Sequence, residues 1–583
     1  MLVTGLGPAL GARLYVRRIE DGGQIEIVVA LQRARFFESA MSTLFHGSAP
    51  TCYSFGRKVY RRQQRHTLDT TPSILFVDAP WWQRAVFYQM YPRSFATSRG
   101  QPTGDLAGIE QHLDHVSWLG VDAVWLSPFY PSPMADFGYD VADHCDVDPL
   151  FGDLEAFDRL LAACHRRDLK LLVDLVPNHT SDQHPWFVAA RSSRDDPKRD
   201  WYIWRDGSPD TPPNNWLAAF IGGPAWTWED ATQQWYLHQF LPQQPDLNWA
   251  NPAVVDAVHE VMRFWLDRGV DGFRIDVVHG LGKDPAFPDD PPESAGMPHS
   301  ALNDTAQTHE LLRGLRRVVD AYPGDRLILG EVFLLSTERV ATYYGDGDEL
   351  HLSFNFPPLF TPWNARRWRR QIDDTTLHIA GRGAWPTWVL SNHDNQRHRT
   401  RYGGSEHRAR AALFLLLGLR GSPVLYAGEE LGLEDAVIPD DRRVDPGGRD
   451  GCRAPLPWDG TPEHGWGTTD PWLPWPPDAG VRNVEALRAD DGSILHLYRR
   501  LLAARRSSSA LRTGDLEMIE APDGVVAWRR WGDDGARVVA VNMGADASLD
   551  IAGTVVVASD GRGEGEPFAG TLGADRAVLV ASA

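Results

Sequence analysis

Four apolar runs along the chain each end on a small polar cluster. LKLLVDLVPNH closes at His179, GFRIDV carries Asp276, LILGEV carries Glu331, and WVLSNHD closes at His393 and Asp394. Near-continuous Val/Ile/Leu runs of this length predict parallel strands buried on both faces, and in a barrel the C-terminal ends of such strands converge on one pocket. From Trp81 the runs alternate with amphipathic segments: strand AVFYQMYP, a helix from Asp105 to Leu119, strand VDAVWLSP, a helix from Leu154 to Arg167, then strand LKLLVDLV. That alternation is the signature of βαβ units. A stretch rich in Trp, Pro and Asp, residues 181–248, interrupts it before the capped helix NPAVVDAVHEVMRFWLDRG leads into GFRIDV. LILGEV, HLSFNF, PTWVLSNHD and SPVLYAGEE bring the strands to eight, and ILHLYRRLLAARR after Ser493 supplies the last helix.

The predicted fold is therefore α/β: a (β/α)8 TIM barrel over residues 81–180 and 249–510, with a subdomain (181–248) inserted after strand 3. Beyond about Leu511, the short alternating segments GVVAWRRW, ARVVAVNM and GTVVVAS predict a C-terminal antiparallel β domain, a β-sandwich over 511–583. Residues 1–80 carry a basic stretch, RKVYRRQQRH, and no such alternation. They read as an N-terminal extension, either a disordered tail or the product of a start codon placed too far upstream.

Composition narrows the partners. A net charge of −20 argues against nucleic acid or an anionic membrane surface and leaves a neutral small molecule as the easier ligand. Many of the 23 Trp residues lie in polar stretches such as WYIWRDG and GPAWTWED, where flat rings would suit sugar faces or simply pack under long loops. Cys52, Cys145, Cys164 and Cys452 show no ligand spacing, so neither a disulfide framework nor a structural zinc is expected. The stretch MLVTGLGPALGARLYVRR has no basic segment ahead of an apolar core and no clear cleavage site. The run AALFLLLGL is too short to cross a bilayer, and a cytoplasmic location is expected.

The motifs DLVPNHTSD, QPDLNW, GFRID, GEV and SNHD, in that order, resemble those of the α-amylase superfamily (glycoside hydrolase family 13), and within it the α-glucosidase and oligo-1,6-glucosidase branch. The resemblance runs from Trp81 almost to the C-terminus. It implies a retaining glycosidase in which Asp276 is the nucleophile, Glu331 the proton donor and then base, and Asp394 the carboxylate that binds the sugar's 2- and 3-hydroxyls. His179 and His393 would donate hydrogen bonds in the same subsite. Arg274, two residues before Asp276 and on the same side of the strand, is expected to hold Asp276 ionised. In DFGYD, Asp136 and Tyr139 stand where relatives carry a sugar-binding Asp and a stacking Tyr, and in RDGCRAP, Arg453 stands where they carry the Arg paired with that Asp. Such a pair closes the pocket around one terminal glucose and implies exo action on maltose and short oligosaccharides.

Val277 matches relatives that cleave α-1,6 links, whereas GRDGCRAPLPWD matches broad α-glucosidases, so α-1,4 cleavage is expected with α-1,6 as a second class. Relatives also carry a cation-binding loop, SFxDSNGDGxGDL. Here SFATSRGQPTGDL puts Thr97, Arg99 and Gln101 at three ligand positions and keeps only Asp105, so no calcium or magnesium is expected there and no cofactor is needed. A transglycosylase, such as a trehalose synthase or a sucrose-active relative, would use the same intermediate. A non-catalytic transporter partner would lack the three carboxylates and carry a membrane helix.

Overall fold

The computed structural model describes residues 79–582 in full. Of the preceding stretch it describes the backbone of Ala12–Arg18 and Ile25–Leu31, which pair as an antiparallel ribbon. The chain divides into two units, Met1–Phe76 and Val77–Ala583. Apart from the ribbon, the expectation of a tail or a misplaced start falls outside the described residues.

In the larger unit eight parallel strands form one sheet: β1 (Phe87–Met90), β2 (Ala123–Leu126), β3 (Lys170–Leu175), β4 (Gly272–Ile275), β5 (Leu327–Gly330), β6 (Leu352–Ser353), β7 (Thr387–Val389) and β8 (Ser422–Tyr426). Their order is β6-β5-β4-β3-β2-β1-β8-β7, the circular order of a TIM barrel with one seam between β6 and β7. The Thr387 hydroxyl crosses that seam, donating to the Ser353 carbonyl (2.7 Å) and accepting from the Asn355 N–H (3.3 Å).

The strands are buried on both faces, as their unbroken apolar sequences require. Alternate side chains go to two separate cores: Phe87, Trp125, Leu172, Leu329 and Val424 share one cluster, while Tyr88, Val124, Val173 and Ile328 join a larger cluster with the helices. The helices begin where short polar side chains satisfy free N–H groups. Asp105 accepts from Gly108 N–H, Asp153 from Ala156 N–H and Asn251 from Ala253 N–H. The first predicted helix thus starts at Leu106 with Asp105 as its cap, and the second ends at His165.

Between β3 and the helix Pro252–Arg268, the chain forms a three-stranded antiparallel sheet ordered Trp204–Arg205, Gln234–Leu237, Trp226–Glu229. Its Trp216, Trp226 and Trp235 form a small core with Ile203 and Leu237. Beyond the barrel, five strands from Asp515–Met518 to Arg576–Ser582 make an antiparallel sheet. The buried Arg530 anchors that sheet, donating to the carbonyl of Gly418 at the end of a barrel helix (3.0 Å).

Candidate active site

The predicted site residues stand at the C-terminal ends of barrel strands or in the loops that follow. Asp136 and Tyr139 follow β2, His179 follows β3, Asp276 directly follows β4, Glu331 follows β5, His393 and Asp394 follow β7, and Arg453 follows β8. A cavity of about 300 Å³ collects Asp136, Tyr139, His179, Asp276, Glu331 and Asp394 on its wall. Arg274, His393 and Arg453 are not on that wall, although the sequence placed them with the binding residues. They lie one layer behind and brace the carboxylates. The aromatic rings facing the cavity are Tyr139, Phe220, Phe240, Phe333 and Phe356, with no Trp among them; Trp216, Trp226 and Trp235 pack the insert's own core, and Trp186, Trp201 and Trp204 pack against the larger one.

Arg274 is the hub. Its Nη1 lies 2.7 Å from Asp276 Oδ1 and 2.8 Å from Asp174 Oδ1, and its Nη2 lies 2.6 Å from Glu331 Oε2. One cation is thus divided among three carboxyls, and its pull does not hold Asp276 or Asp174 down. Burial, joined by the charges of Glu331 and Asp174, pushes Asp276 well above the usual carboxylate range against the pull of Arg274. This corrects the expectation that Arg274 alone would keep Asp276 low. The Glu331 carboxyl also lies within side-chain hydrogen-bonding reach of Asp276, which adds to the rise of the Asp276 carboxyl. Asp174, the single carboxylate of the strand KLLVDL, is itself pushed up to about 7 by burial, in spite of Arg274.

The backbone also works on Glu331. Val277 adopts left-handed angles (φ 43°, ψ 45°), which a β-branched residue rarely tolerates, and its N–H reaches Glu331 Oε2 (3.2 Å). Phe220 is a second bulky residue held at positive φ (70°), and the Arg449 guanidinium sits 4.3 Å from its ring centre.

Asp394 has the opposite character from Asp276. Burial pushes its carboxyl up, but His393, Arg449 and Arg453 outweigh that and hold it well below the usual range. Since burial also drives the His393 imidazole down to about 3, the ring is neutral and the two guanidinium groups supply the charge. Gln89 Nε2 donates to His393 Nδ1 (2.7 Å), which leaves the Nε2–H facing Tyr139 Oη (2.6 Å) and Asp394 Oδ2 (3.2 Å). His179 Nε2 lies 3.1 Å from the Tyr139 carbonyl oxygen, so its N–H serves the backbone of the loop after β2.

The predicted pairing of Arg453 with Asp136 is not what the fold forms. Arg449 Nη2 lies 2.5 Å from Asp136 Oδ1, and its Nη1 2.9 Å from Asp394 Oδ1. Arg453 instead contacts Asp394 Oδ1 (2.9 Å), Asp445 Oδ1 (3.2 Å) and the His393 carbonyl (2.7 Å). Both arginines follow β8 in one short 3-10 turn, Asp450–Arg453 and the residue before it, and the turn aims Arg449 into the cavity and Arg453 beneath it. RDGCRAP offers two arginines, and spacing alone did not say which would reach. The sequence reading also missed Lys283, whose Nζ donates to Asn178 Oδ1 (2.7 Å) and Gly280 O (2.6 Å) and lies 3.0 Å from Asp246 Oδ2. This buried ammonium ties the loop after Asp276 to the end of the inserted segment.

The loop after β1 does not suit a divalent cation. Asp105 spends its carboxylate on Gly108 N–H, Ser98 and Arg99 Nε (3.2 Å), and the Thr97 hydroxyl accepts the N–H groups of Arg99 and Gln101. Among the described residues no group of three or more His, Cys, Asp or Glu side chains is arranged to hold a metal ion, and no helix is long and apolar enough to cross a membrane. Cys145, Cys164 and Cys452 are unbridged.

Comparison with known proteins agrees with this geometry. The model of the alpha-amylase catalytic domain matches residues 89–514. A probable alpha-glucosidase of Rhizobium meliloti is 41% identical over 496 residues, covering 79% of this chain and 89% of its own. The oligo-1,6-glucosidase of Parageobacillus thermoglucosidasius is 36% identical over 491 residues, covering 76% and 86%. The crystal structure of the alpha-glucosyl transfer enzyme XgtA superposes with a TM-score of 0.80 at 39% identity, covering 87% of this chain and all of that one. On the barrel, the convergent carboxylates and these matches together, the chain belongs to the alpha-amylase catalytic-domain family.

Proposed function

We propose that the protein is a retaining, exo-acting α-glucosidase that releases terminal non-reducing glucose from maltose and short oligosaccharides. The observation that carries this reading is the closed end of the cavity. Asp136, Arg449 and Asp394 form one ion-paired wall across it, while Asp276 and Glu331 meet on Arg274 at the side. A pocket of about 300 Å³, walled at one end, takes a single sugar ring and only from a chain terminus.

Each carboxyl has a distinct part. Asp276 attacks the anomeric carbon as the glycosidic bond breaks, and the oxygen of the departing sugar takes the proton from Glu331, leaving a covalent glucosyl ester on Asp276. Glu331, now ionised and held by Arg274 and the Val277 N–H, draws a proton from water, which attacks the ester and restores both groups. Asp394, kept anionic by Arg449 and Arg453, accepts from the sugar hydroxyls and stabilises the positive charge that develops on the ring. Tyr139, with its ring stacked on His393, forms a flat apolar side for the glucose. Substrates with α-1,4 links are the main class and α-1,6 links the second, Val277 standing at the cavity wall beside the cleaved bond.

The likeness to an alpha-glucosyl transfer enzyme favours one second reading, in which a sugar acceptor replaces water in the same intermediate. The three unbridged cysteines support a reducing, cytoplasmic setting. A proton NMR time course with maltose, isomaltose, sucrose and trehalose tests the reading. α-Glucose as the first product establishes a retaining exo-glucosidase, a new disaccharide without net glucose establishes transfer, and β-glucose first would overturn the mechanism.

A further inference from the structure

Asp174 lies behind the cavity wall, fully buried, and donors from two strands and a loop converge on it. Its Oδ2 accepts from Trp125 Nε1–H of β2 (3.2 Å) and from the Tyr139 hydroxyl of the loop after β2 (3.1 Å), and its Oδ1 accepts from Arg274 Nη1–H of β4 (2.8 Å). Because the His393 Nε2–H faces Tyr139 Oη (2.6 Å), the hydroxyl's own hydrogen goes to Asp174. Donation therefore runs one way along a chain, from Gln89 to His393, from His393 to Tyr139 and from Tyr139 to Asp174, with Asp394 Oδ2 beside the same His393 N–H (3.2 Å). On its other side Asp174 shares Arg274 with Asp276 and Glu331. The end of the site that holds Asp394 is thus continuous with the end that holds Asp276.

Packing alone does not call for a carboxyl at this position. Leu172, two residues earlier on the same face of β3, belongs to the barrel interior with Phe87, Trp125, Leu329 and Val424, and an apolar side chain in the next layer would avoid the cost of burying a charge. An ionised carboxylate accepts and never donates, so it can meet all three donors; an amide in its place would turn an N–H toward at least one of them.

Resting on the α-glucosidase reading, we propose that Asp174 is a positioning residue that ties the two ends of the site together: it orients the Tyr139 hydroxyl, and through it His393 beside Asp394, while it shares Arg274 with the nucleophile. A change confined to the Tyr139 hydroxyl is then felt at Asp276.

The groups facing Asp174 fix the sign of that effect. They are Arg274 from β4, Asp276 directly after it, Glu331 after β5 and Tyr139 after β2, with the neutral His393 behind Tyr139. The Asp174 charge is one of the causes that raise Asp276, and the Tyr139 hydrogen bond favours the ionised form of Asp174. Removing either the Asp174 carboxylate or the Tyr139 hydroxyl leaves less negative charge beside Asp276. Its carboxyl then ionises at lower pH, and the acid limb of kcat/KM moves to lower pH.

The test follows kcat/KM for 4-nitrophenyl α-glucoside against pH in full-length Asp174→Asn, Tyr139→Phe and the double variant. The acid limb of Asp174→Asn is expected about one pH unit lower than that of the parent. Tyr139→Phe is expected to move it the same way by a smaller step, and the double variant is expected to coincide with Asp174→Asn, because the hydroxyl reaches Asp276 through the carboxyl. An unmoved limb in Tyr139→Phe overturns the proposal, since a ring that only stacks on the sugar has no effect on the ionisation of Asp276. A double variant whose shift is the sum of the two single shifts overturns it as well. Melting curves show which variants are folded; Tyr139→Phe keeps the ring and its packing, and its limb decides the proposal by itself where Asp174→Asn is too unstable to assay. The anomer first released from maltose by the unmodified protein is read separately and decides only the α-glucosidase reading.

Discussion

Arg449 closes the cavity by bonding Asp136: its Nη2 sits 2.5 Å from Asp136 Oδ1 while its Nη1 reaches Asp394 at 2.9 Å. Burial raises the Asp136 carboxyl, and the Arg449 charge opposes that rise, so the pair is stable only as a unit. A planar fork spanning three carboxylates, Asp136, Asp394 and Asp445, cannot be replaced by a single ammonium.

Arg449→Lys is therefore expected to lower kcat/KM for maltose on the order of a hundredfold while the protein stays folded, because truncating a buried, paired charge costs about 2–5 kcal/mol and each 1.4 kcal/mol is tenfold. Both arginines also bond Asp445, but Arg453 is fully buried and holds the His393 carbonyl as well, so the melting temperature of Arg453→Lys should fall further than that of Arg449→Lys. Steady-state kinetics and calorimetric melting of the two variants check the order; a more severe loss of activity in Arg453→Lys with no loss of stability would reverse the assignment.

Asp276→Asn should abolish turnover, with a loss of at least about 10⁴-fold, if Asp276 is the nucleophile we propose. Intact folding is read from the melting curve. Recovery of parent-level activity in a preparation free of contaminating enzyme would remove Asp276 from its role.

Glu331→Gln carries a pH signature. The Glu331 charge is one of the causes that raise Asp276, so removing it lets the Asp276 pKa fall. The ionised nucleophile then persists to lower pH, and the acid limb of kcat/KM moves to lower pH. The measurement uses 4-nitrophenyl α-glucoside, whose leaving group needs little protonation, so activity is expected to fall far less than on maltose. An acid limb that stays in place or moves upward would contradict the coupling.

Lys283→Met tests the tie between the barrel loop and the inserted segment. It removes the ammonium that pairs with Asp246, which is fully buried. A buried carboxylate left without its partner costs about 3–5 kcal/mol, and that loss should appear in denaturant unfolding at neutral pH. It should shrink when Asp246→Asn is added, because the double variant has no charge to strand.

Much of this protein is legible in one dimension. The β strands are short apolar runs because both faces are buried, and the strands end where polar residues begin, so GFRID, LILGEV and WVLSNHD mark Asp276, Glu331 and Asp394 without any coordinates. Asp174 was also visible in principle: a charge in the middle of LKLLVDLV must be paired, and Arg274 on the neighbouring strand is that partner. Other features depended on distances that sequence order does not carry. The Trp-rich insert suggested sugar-facing rings, yet Trp216, Trp226 and Trp235 pack into its own small core, and Phe220, Phe240, Phe333 and Phe356 face the cavity instead.

What the chain determined by itself is the set of local facts: periodicity, caps, strand ends and the chemical types gathered at them. Each follows from neighbours within a turn or a strand. The tertiary structure alone decided how one positive charge is shared. It buried Asp276 beside Glu331 and Asp174 and so raised its carboxyl against the pull of the shared Arg274, and it chose Arg449 over Arg453 to meet Asp136, because electrostatic energy depends on separation in space and on burial, and both are set only when distant strands close into the barrel.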